Sequence, residues 1–153
     1  MKKFRLFYSL ISIFIFTGCT NDNGTLVQCA AIDYAVPGLL IEIVDTNGNN
    51  LLDNETYNSN EISVVIDNDN ISRIVKEDNR TYIIISLTDS IKNKELKVIL
   101  SPSETDTMTV QLKNITTGAP CYFLFSEATG VIYNENSLPL EKSTFNQKIT
   151  VVK

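Results

Sequence analysis

The chain has no histidine and no tryptophan, and only three of its 153 residues are cysteine. Histidine is the usual general base near neutral pH, a common neutral metal ligand and a member of most nucleophilic triads. Its absence excludes Ser-His-Asp and Cys-His enzymes and imidazole-bound zinc hydrolases. Positive charge is scarce too: 13 Lys and Arg stand against 18 Asp and Glu, a formal net of −5. No basic surface is left to neutralise phosphates, which argues against a nucleic-acid partner. No window long enough for a helix carries a helical repeat of apolar positions, and no internal repeat marks a solenoid. The length suffices for one domain with a real core and not for two.

What is present begins with Lys2, Lys3 and Arg5, an apolar run from Leu6 to Phe16, and then Thr17-Gly18-Cys19. A positive start, a short apolar stretch and small residues are the layout of a secretory signal. The run is shorter than the ~20 residues a spanning helix needs. A buried core helix is the other reading, and it suits poorly an all-apolar segment directly behind three charges.

Phe16-Thr17-Gly18-Cys19 resembles the lipobox of bacterial lipoproteins, a large apolar residue, two small ones and a cysteine. The resemblance covers residues 1–19. It implies a thioether-linked diacylglycerol on Cys19, cleavage before it, and a further acyl chain on the new amino terminus. Two or more chains anchor stably, at about 0.8 kcal/mol per buried methylene. Residues 1–18 are then the signal peptide, 19–37 the lipidated cysteine with its tether and lead-in, and 38–153 the folded domain. Cleavage would leave ten basic and eighteen acidic residues, a net of −8, so the domain stands off an anionic bilayer. Thr20 to Thr25 is short and polar, a tether of about 20 Å when extended. By resemblance to lipoprotein sorting, Thr20 after the lipidated cysteine favours the outer membrane of a Gram-negative envelope.

From Gly38 onward short Ile, Val, Leu, Tyr and Phe runs alternate with Asn, Asp, Gly and Ser clusters, the punctuation of an all-β domain. The expected strands are 39–45, 62–66, 71–76, 81–87, 95–100, 107–113, 121–126, 130–133 and 148–152. Met108, Val110 and Leu112 alternate with Thr107, Thr109, Gln111 and Lys113, which predicts one dry face and one wet face. Ile149 and Val151 repeat the pattern, so the last strand closes the core. Tyr82 to Leu87 is apolar on both faces, as in an interior strand. Asp67 to Asn70 and Asp78-Asn79 supply turn residues, so residues 62–87 read as a meander of hairpins. The whole predicts a single antiparallel β-sandwich of immunoglobulin-like or transthyretin-like type, with a small closed barrel as the alternative.

Cys29 and Cys121 are the thiols left once Cys19 is lipidated, and an exported compartment favours oxidation. A bridge between them would span 92 positions and contribute about 4 kcal/mol on chain-entropy grounds. The other reading is two buried free cysteines acting as small apolar side chains. No histidine exists to activate a catalytic thiol.

Asp45, Asn47, Asn49 and Asp53 follow the one-three-five-nine spacing of calcium loops, in which alternate oxygen ligands turn toward a hard cation. The glycine stands at the fourth place instead of the sixth, and Thr56 occupies the twelfth. Ca2+ is thus the one candidate ion, and no other cofactor is signalled. The competing reading is a tight connection in which Asn47-Gly48 is left-handed. The stretch from Val44 to Asp53 also resembles a segment of small Bacteroidota envelope lipoproteins with an immunoglobulin-like sandwich, which implies an envelope module without assigned activity. In that phylum Asp89-Ser90-Ile91 and Asp106-Thr107-Met108 are similar to O-glycosylation acceptor tripeptides. Against this, Ser90 reads as a turn residue and Thr107 as a solvent-facing strand residue.

Paired carboxylates cleave glycosides without histidine, but Glu42, Asp67, Asp69, Glu77, Asp78, Glu127 and Glu135 read as scattered over turns and wet faces. Tyr34, Tyr57, Tyr82, Tyr122 and Tyr133 read as core or edge residues. The expectation is a lipid-anchored envelope protein, held to the membrane by its anchor, whose non-catalytic sandwich binds an envelope protein or glycan. A calcium-stabilised adhesion module and a carboxylate-based hydrolase are the alternatives.

Overall fold

The computed structural model describes residues 36–116, 118, 123–142 and 146–153. Their apolar runs are dominated by isoleucine, valine and leucine, and the β-branched side chains favour extended backbone. The described strands are β1 (Gly38–Val44), β2 (Ser63–Ile66), β3 (Asp69–Asn70), β4 (Ser72–Glu77), β5 (Arg80–Ser86), β6 (Glu95–Ser101), β7 (Glu104–Thr116), β8 (Leu124–Tyr133), β9 (Asn136–Leu138), β10 (Glu141–Lys142) and β11 (Gln147–Val152). They form two sheets, ordered β10-β11-β1-β5-β4 and β3-β2-β6-β7-β8-β9. Leu39, Ile41, Ile43, Ile83 and Ile149 of the first sheet share one buried cluster with Val64, Leu96, Val98, Met108 and Val110 of the second. The chain is an all-β sandwich, as its sequence predicts. Among the described residues no helix is long and apolar enough to cross a membrane.

The alternation on β7 is realised: Met108, Val110 and Leu112 are buried while Thr107, Gln111 and Lys113 are exposed. Tyr82, Ile83 and Ile85 are buried because β5 lies between β1 and β4. β11 lies between β10 and β1, with Ile149 and Val151 turned into the core. Its pairing with β1 is parallel, from Leu39↔Gln147 to Val44↔Val152, whereas the other strand pairs are antiparallel. The chain enters this sheet again at β10, after the β6 to β9 meander of the other sheet, and β11 runs antiparallel to β10 (Lys142↔Gln147) and therefore parallel to β1.

Residues 62–87 are not one meander. Asp67-Asn68 turns β2 into β3 and Asp78-Asn79 turns β4 into β5, each pair with positive φ as a type I′ hairpin requires. The two hairpins lie in opposite sheets, because the chain crosses between layers at Ile71. Asn134-Glu135 makes a third such turn between β8 and β9. From Leu124 onward the expected strands 121–126 and 130–133 are one β8, Cys121 and Tyr122 lying outside the described residues, and a register shift leaves Thr129 without an opposite residue between Gln111↔Gly130 and Leu112↔Ala128. At Gly130 a Cβ would come within 2.9 Å of Gln111 Oε1, the end of an exposed side chain that can swing aside.

The sandwich has two ends. At the near end β1 begins, Gly38 N–H donates to Asn146 Oδ1 at 3.1 Å, and Gln147 reaches Ala128 of β8. At the far end Lys153 N–H donates to Val44 C=O at 2.9 Å.

A polar groove at the far end of the sandwich

The connection between β1 and β2 is built from Asx turns. Asp45 accepts from Asn47 N–H at 2.8 Å, from Asn49 N–H at 2.9 Å and from Asn49 Nδ2 at 2.8 Å. Asn49 is the main cause that holds the Asp45 carboxyl below its ordinary range. Gly48 N–H donates to Asp45 C=O at 3.0 Å, and Gly48 follows at φ +83. This is the form of a three-residue hairpin loop with a G1 bulge, closed by the Val44↔Asn50 bridge. Of the Asn47-Gly48 pair only the glycine is left-handed.

Asn50, buried beneath, donates from Nδ2 to Thr81 C=O at 2.9 Å and accepts from Leu52 and Asp53 N–H at 2.9 and 3.0 Å. Asp53 in turn accepts from Thr81 N–H at 3.1 Å and Thr81 Oγ1 at 2.6 Å. The four calcium-spaced residues therefore divide: Asp45 and Asn49 bond each other within the turn, with Asn47 giving its backbone N–H, while Asp53 faces β5. Among the described residues no three His, Cys, Asp or Glu side chains are grouped to hold a metal ion.

Beyond Asn50 the chain loops outward. Asn54 and Asn58 cap the backbone of Thr56 and Asn60 at 3.1 Å each, and Tyr57 is tied back by N–H to Leu51 C=O at 3.0 Å. Together with the β4–β5 hairpin this loop encloses a groove of about 540 Å³. Leu52 and Tyr57 supply its apolar lining, and Asp53, Glu55, Asn58, Ser59, Asn60, Lys76 and Thr81 its polar lining. Asp53, Asn58 and Thr81 are occupied by intramolecular bonds, whereas the side chains of Glu55, Asn60 and Lys76 have no partner among the described residues. Unpaired donors and acceptors converging on a preformed concavity equip it to bind a polar partner. A smaller concavity of about 210 Å³ on the outer face of the first sheet is lined by Lys142, Lys148 and Glu141. There Lys148 pairs with Glu141 at 3.0 Å and Lys142 with Glu127, so its lysines are already paired, while Glu77 and Asp78 in its lining make no ion pair among the described residues.

A charged network braces the groove. Tyr57 OH donates to Glu104 Oε2 at 2.9 Å, and Lys153 Nζ donates to Glu104 Oε1 at 2.8 Å and Asp106 Oδ2 at 2.5 Å. Asp106 also accepts from Tyr133 OH and Asn134 Nδ2 at 2.7 Å each. Burial alone would raise the Asp106 carboxyl, but hydrogen bonds from Lys153, Asn134 and Tyr133 outweigh it and hold it low. The Lys153 bond chiefly lowers Glu104. Burial would lower the Lys153 ammonium, and its two carboxylate partners raise it instead. Burial first, then Asp106, pushes the Tyr133 phenol far up, so it stays an O–H donor.

Glu42 corrects the expectation of a solvated acid: it is 2% exposed, pairs with Arg80 and lies 3.7 Å from Lys148. Glu127 is also largely covered, between Lys113 and Lys142. Ser90 is exposed in a short 3-10 turn, Asp89–Ile91, its hydroxyl 2.7 Å from Thr88 Oγ1. Thr107 is exposed on β7, with its N–H on Asn134 Oδ1 at 2.9 Å. Cys19, Cys29 and Cys121, Tyr34 and Tyr122, and the signal and tether segments lie outside the described residues. The unpaired set Glu55, Asn60 and Lys76 was missed by spacing, because its members come from a loop and a separate hairpin.

By fold and site the chain is an all-β sandwich with a polar groove at one end. Compared with known families, with curated proteins and with solved structures, it shows no match.

Proposed function

We propose that this is a lipid-anchored cell-envelope protein whose sandwich serves binding or assembly and not catalysis, with an envelope protein or glycan as partner. The lipobox-like Phe16-Thr17-Gly18-Cys19 supports attachment through Cys19, and the residue after it supports the outer membrane. The observation that carries the binding role is the groove, in which Glu55, Asn60 and Lys76 present unpaired polar groups on a braced loop. β1 runs between the two ends of the sandwich, so the groove stands about 23 Å from where the chain enters the fold, seven residues at ~3.3 Å each. The chain's lack of histidine supports the non-catalytic reading.

The test is site-specific photocross-linking in intact cells, with the reactive group placed at Ser59 in the groove or at Thr109 on the second sheet. The expected result is an adduct with an envelope component at Ser59, reduced about tenfold by the pair Asn60→Ala and Lys76→Ala, a loss of roughly 1.4 kcal/mol. Equal adducts at both positions, or none at Ser59, would overturn the groove as the binding site.

A further inference from the structure

We propose that the open edge of β4 pairs with the same edge of a second copy of this chain, so that the first sheets of two molecules join across a two-fold axis. The contact needs neither the anchor nor the groove. β4 is the outermost strand of its sheet, and among the described residues nothing pairs with its outer side. Asp78-Asn79 is a two-residue turn, so Glu77↔Arg80 is a hydrogen-bonded pair, and Val75↔Tyr82 and Arg73↔Ile84 are the next ones along the ladder. The N–H and C=O groups of Ile74 and Lys76 therefore point outward, and no described residue bonds them. Ser72 N–H points the same way but is taken by Asn70 Oδ1 at 2.9 Å.

An unpaired edge is a template for another strand, and charged side chains commonly forbid the pairing. On β4 the charges are of both signs, and their order is self-complementary. Ile74 packs against the core, so Arg73, Val75 and Glu77 form a row on the opposite face. Among the described residues neither Arg73 nor Glu77 makes an ion pair. An antiparallel two-fold pairing centred on Val75 sets Val75 opposite Val75 of the other copy. It also sets Arg73 opposite Glu77 on each side of the axis, an isologous contact. Ile74 and Lys76 then face each other and exchange both backbone bonds, with the Lys76 methylenes along Ile74 and its ammonium in water.

The neighbouring registers are worse. An axis at Ile74 sets Arg73 against Val75, and an axis at Arg73, Lys76 or Glu77 sets like charges face to face. Opposite charges across strands stabilise a pair and like charges repel, which selects the register centred on Val75.

That axis gives a direct test. A non-hydrogen-bonded antiparallel pair brings its Cα atoms to ~4.5 Å, within the span a disulfide bridges. Arg73 would lie ~13 Å from Arg73 of the other copy, four residues along the strand at ~3.3 Å each. The full-length chain carrying Val75→Cys is oxidised in intact cells with copper phenanthroline and compared with the parent chain and with Arg73→Cys. The expected result is a reducible homodimer through Val75→Cys, about tenfold above both controls. Adding Glu77→Arg to Val75→Cys should lower the yield about tenfold, because guanidinium groups then oppose each other, and adding Arg73→Glu as well should restore it. Restoration ties the effect to the register, since a variant that merely failed to fold would not recover. No homodimer, equal yields from Val75→Cys and Arg73→Cys, or a yield indifferent to the charge reversals would overturn the pairing. An adduct of Val75→Cys with a different protein in place of the homodimer would overturn it too, and assign the edge to another partner.

Discussion

Gln147 closes its carboxamide on both backbone groups of Ala128, with Oε1 accepting the N–H at 2.6 Å and Nε2 donating to the C=O at 2.8 Å. β9 pairs with β8 only at Val131–Tyr133, so one side chain does for Ala128 what a neighbouring strand does elsewhere. The bond also ties β11 in one sheet to β8 in the other. Gln147→Leu keeps most of the volume and removes both partners of a buried peptide. The expected loss is about 2–4 kcal/mol in denaturant unfolding, because each abandoned group costs on the order of 1–3 kcal/mol. A loss below about 0.5 kcal/mol, the range of ordinary surface changes, would contradict this role.

The far-end network makes a pH prediction. Asp106 and Glu104 titrate below their ordinary range in the folded state. A depressed carboxylate contributes stability that is present above its unfolded pKa, about 4, and lost as pH falls through the folded value. Lys153 is raised, so its contribution holds at neutral pH and is lost only as alkaline pH passes through its folded value. Stability should fall on acidification below about pH 4. Lys153→Met should destabilise the neutral state and flatten that acid dependence, since it removes the cation from both carboxylates. Superimposable acid-unfolding curves for the two proteins would contradict the assignment.

The β1–β2 turn makes a third prediction. Asp45 accepts three hydrogen bonds from its own loop, so the turn closes without an ion. Adding millimolar Ca2+ or removing it with chelator should leave the melting temperature unchanged. Gly48→Ala should cost about 1 kcal/mol, because Gly48 is at φ +83. A calcium-dependent rise in melting temperature, abolished by Asp45→Ala, would restore the calcium loop.

Much of the architecture was legible in the sequence, because strict alternation such as Met108-Thr109-Val110-Gln111-Leu112 admits one reading. The Asp-Asn and Asn-Glu turns were less so. Asp67-Asn68 and Asp78-Asn79 announce hairpins, but nothing local says that the chain changes sheets at Ile71. The parallel pairing of β1 with β11 joins segments a hundred residues apart, and local pattern carries no information about it. Glu42 reads as solvated because a carboxylate in a strand usually is. Arg80 and Lys148, which cover it, come from distant strands. Asp53 fitted a calcium spacing only because distance along the chain hides its real partner, Thr81 on β5.

The anchored reading is tested most directly by intact-mass and tandem mass spectrometry of the protein isolated from the membranes of the cell that makes it. The account predicts a chain beginning at Cys19, with a diacylglyceryl thioether on its sulfur and an acyl group on its α-amino nitrogen. An unmodified Cys19, whether at a free amino terminus or still preceded by residues 1–18, would contradict it.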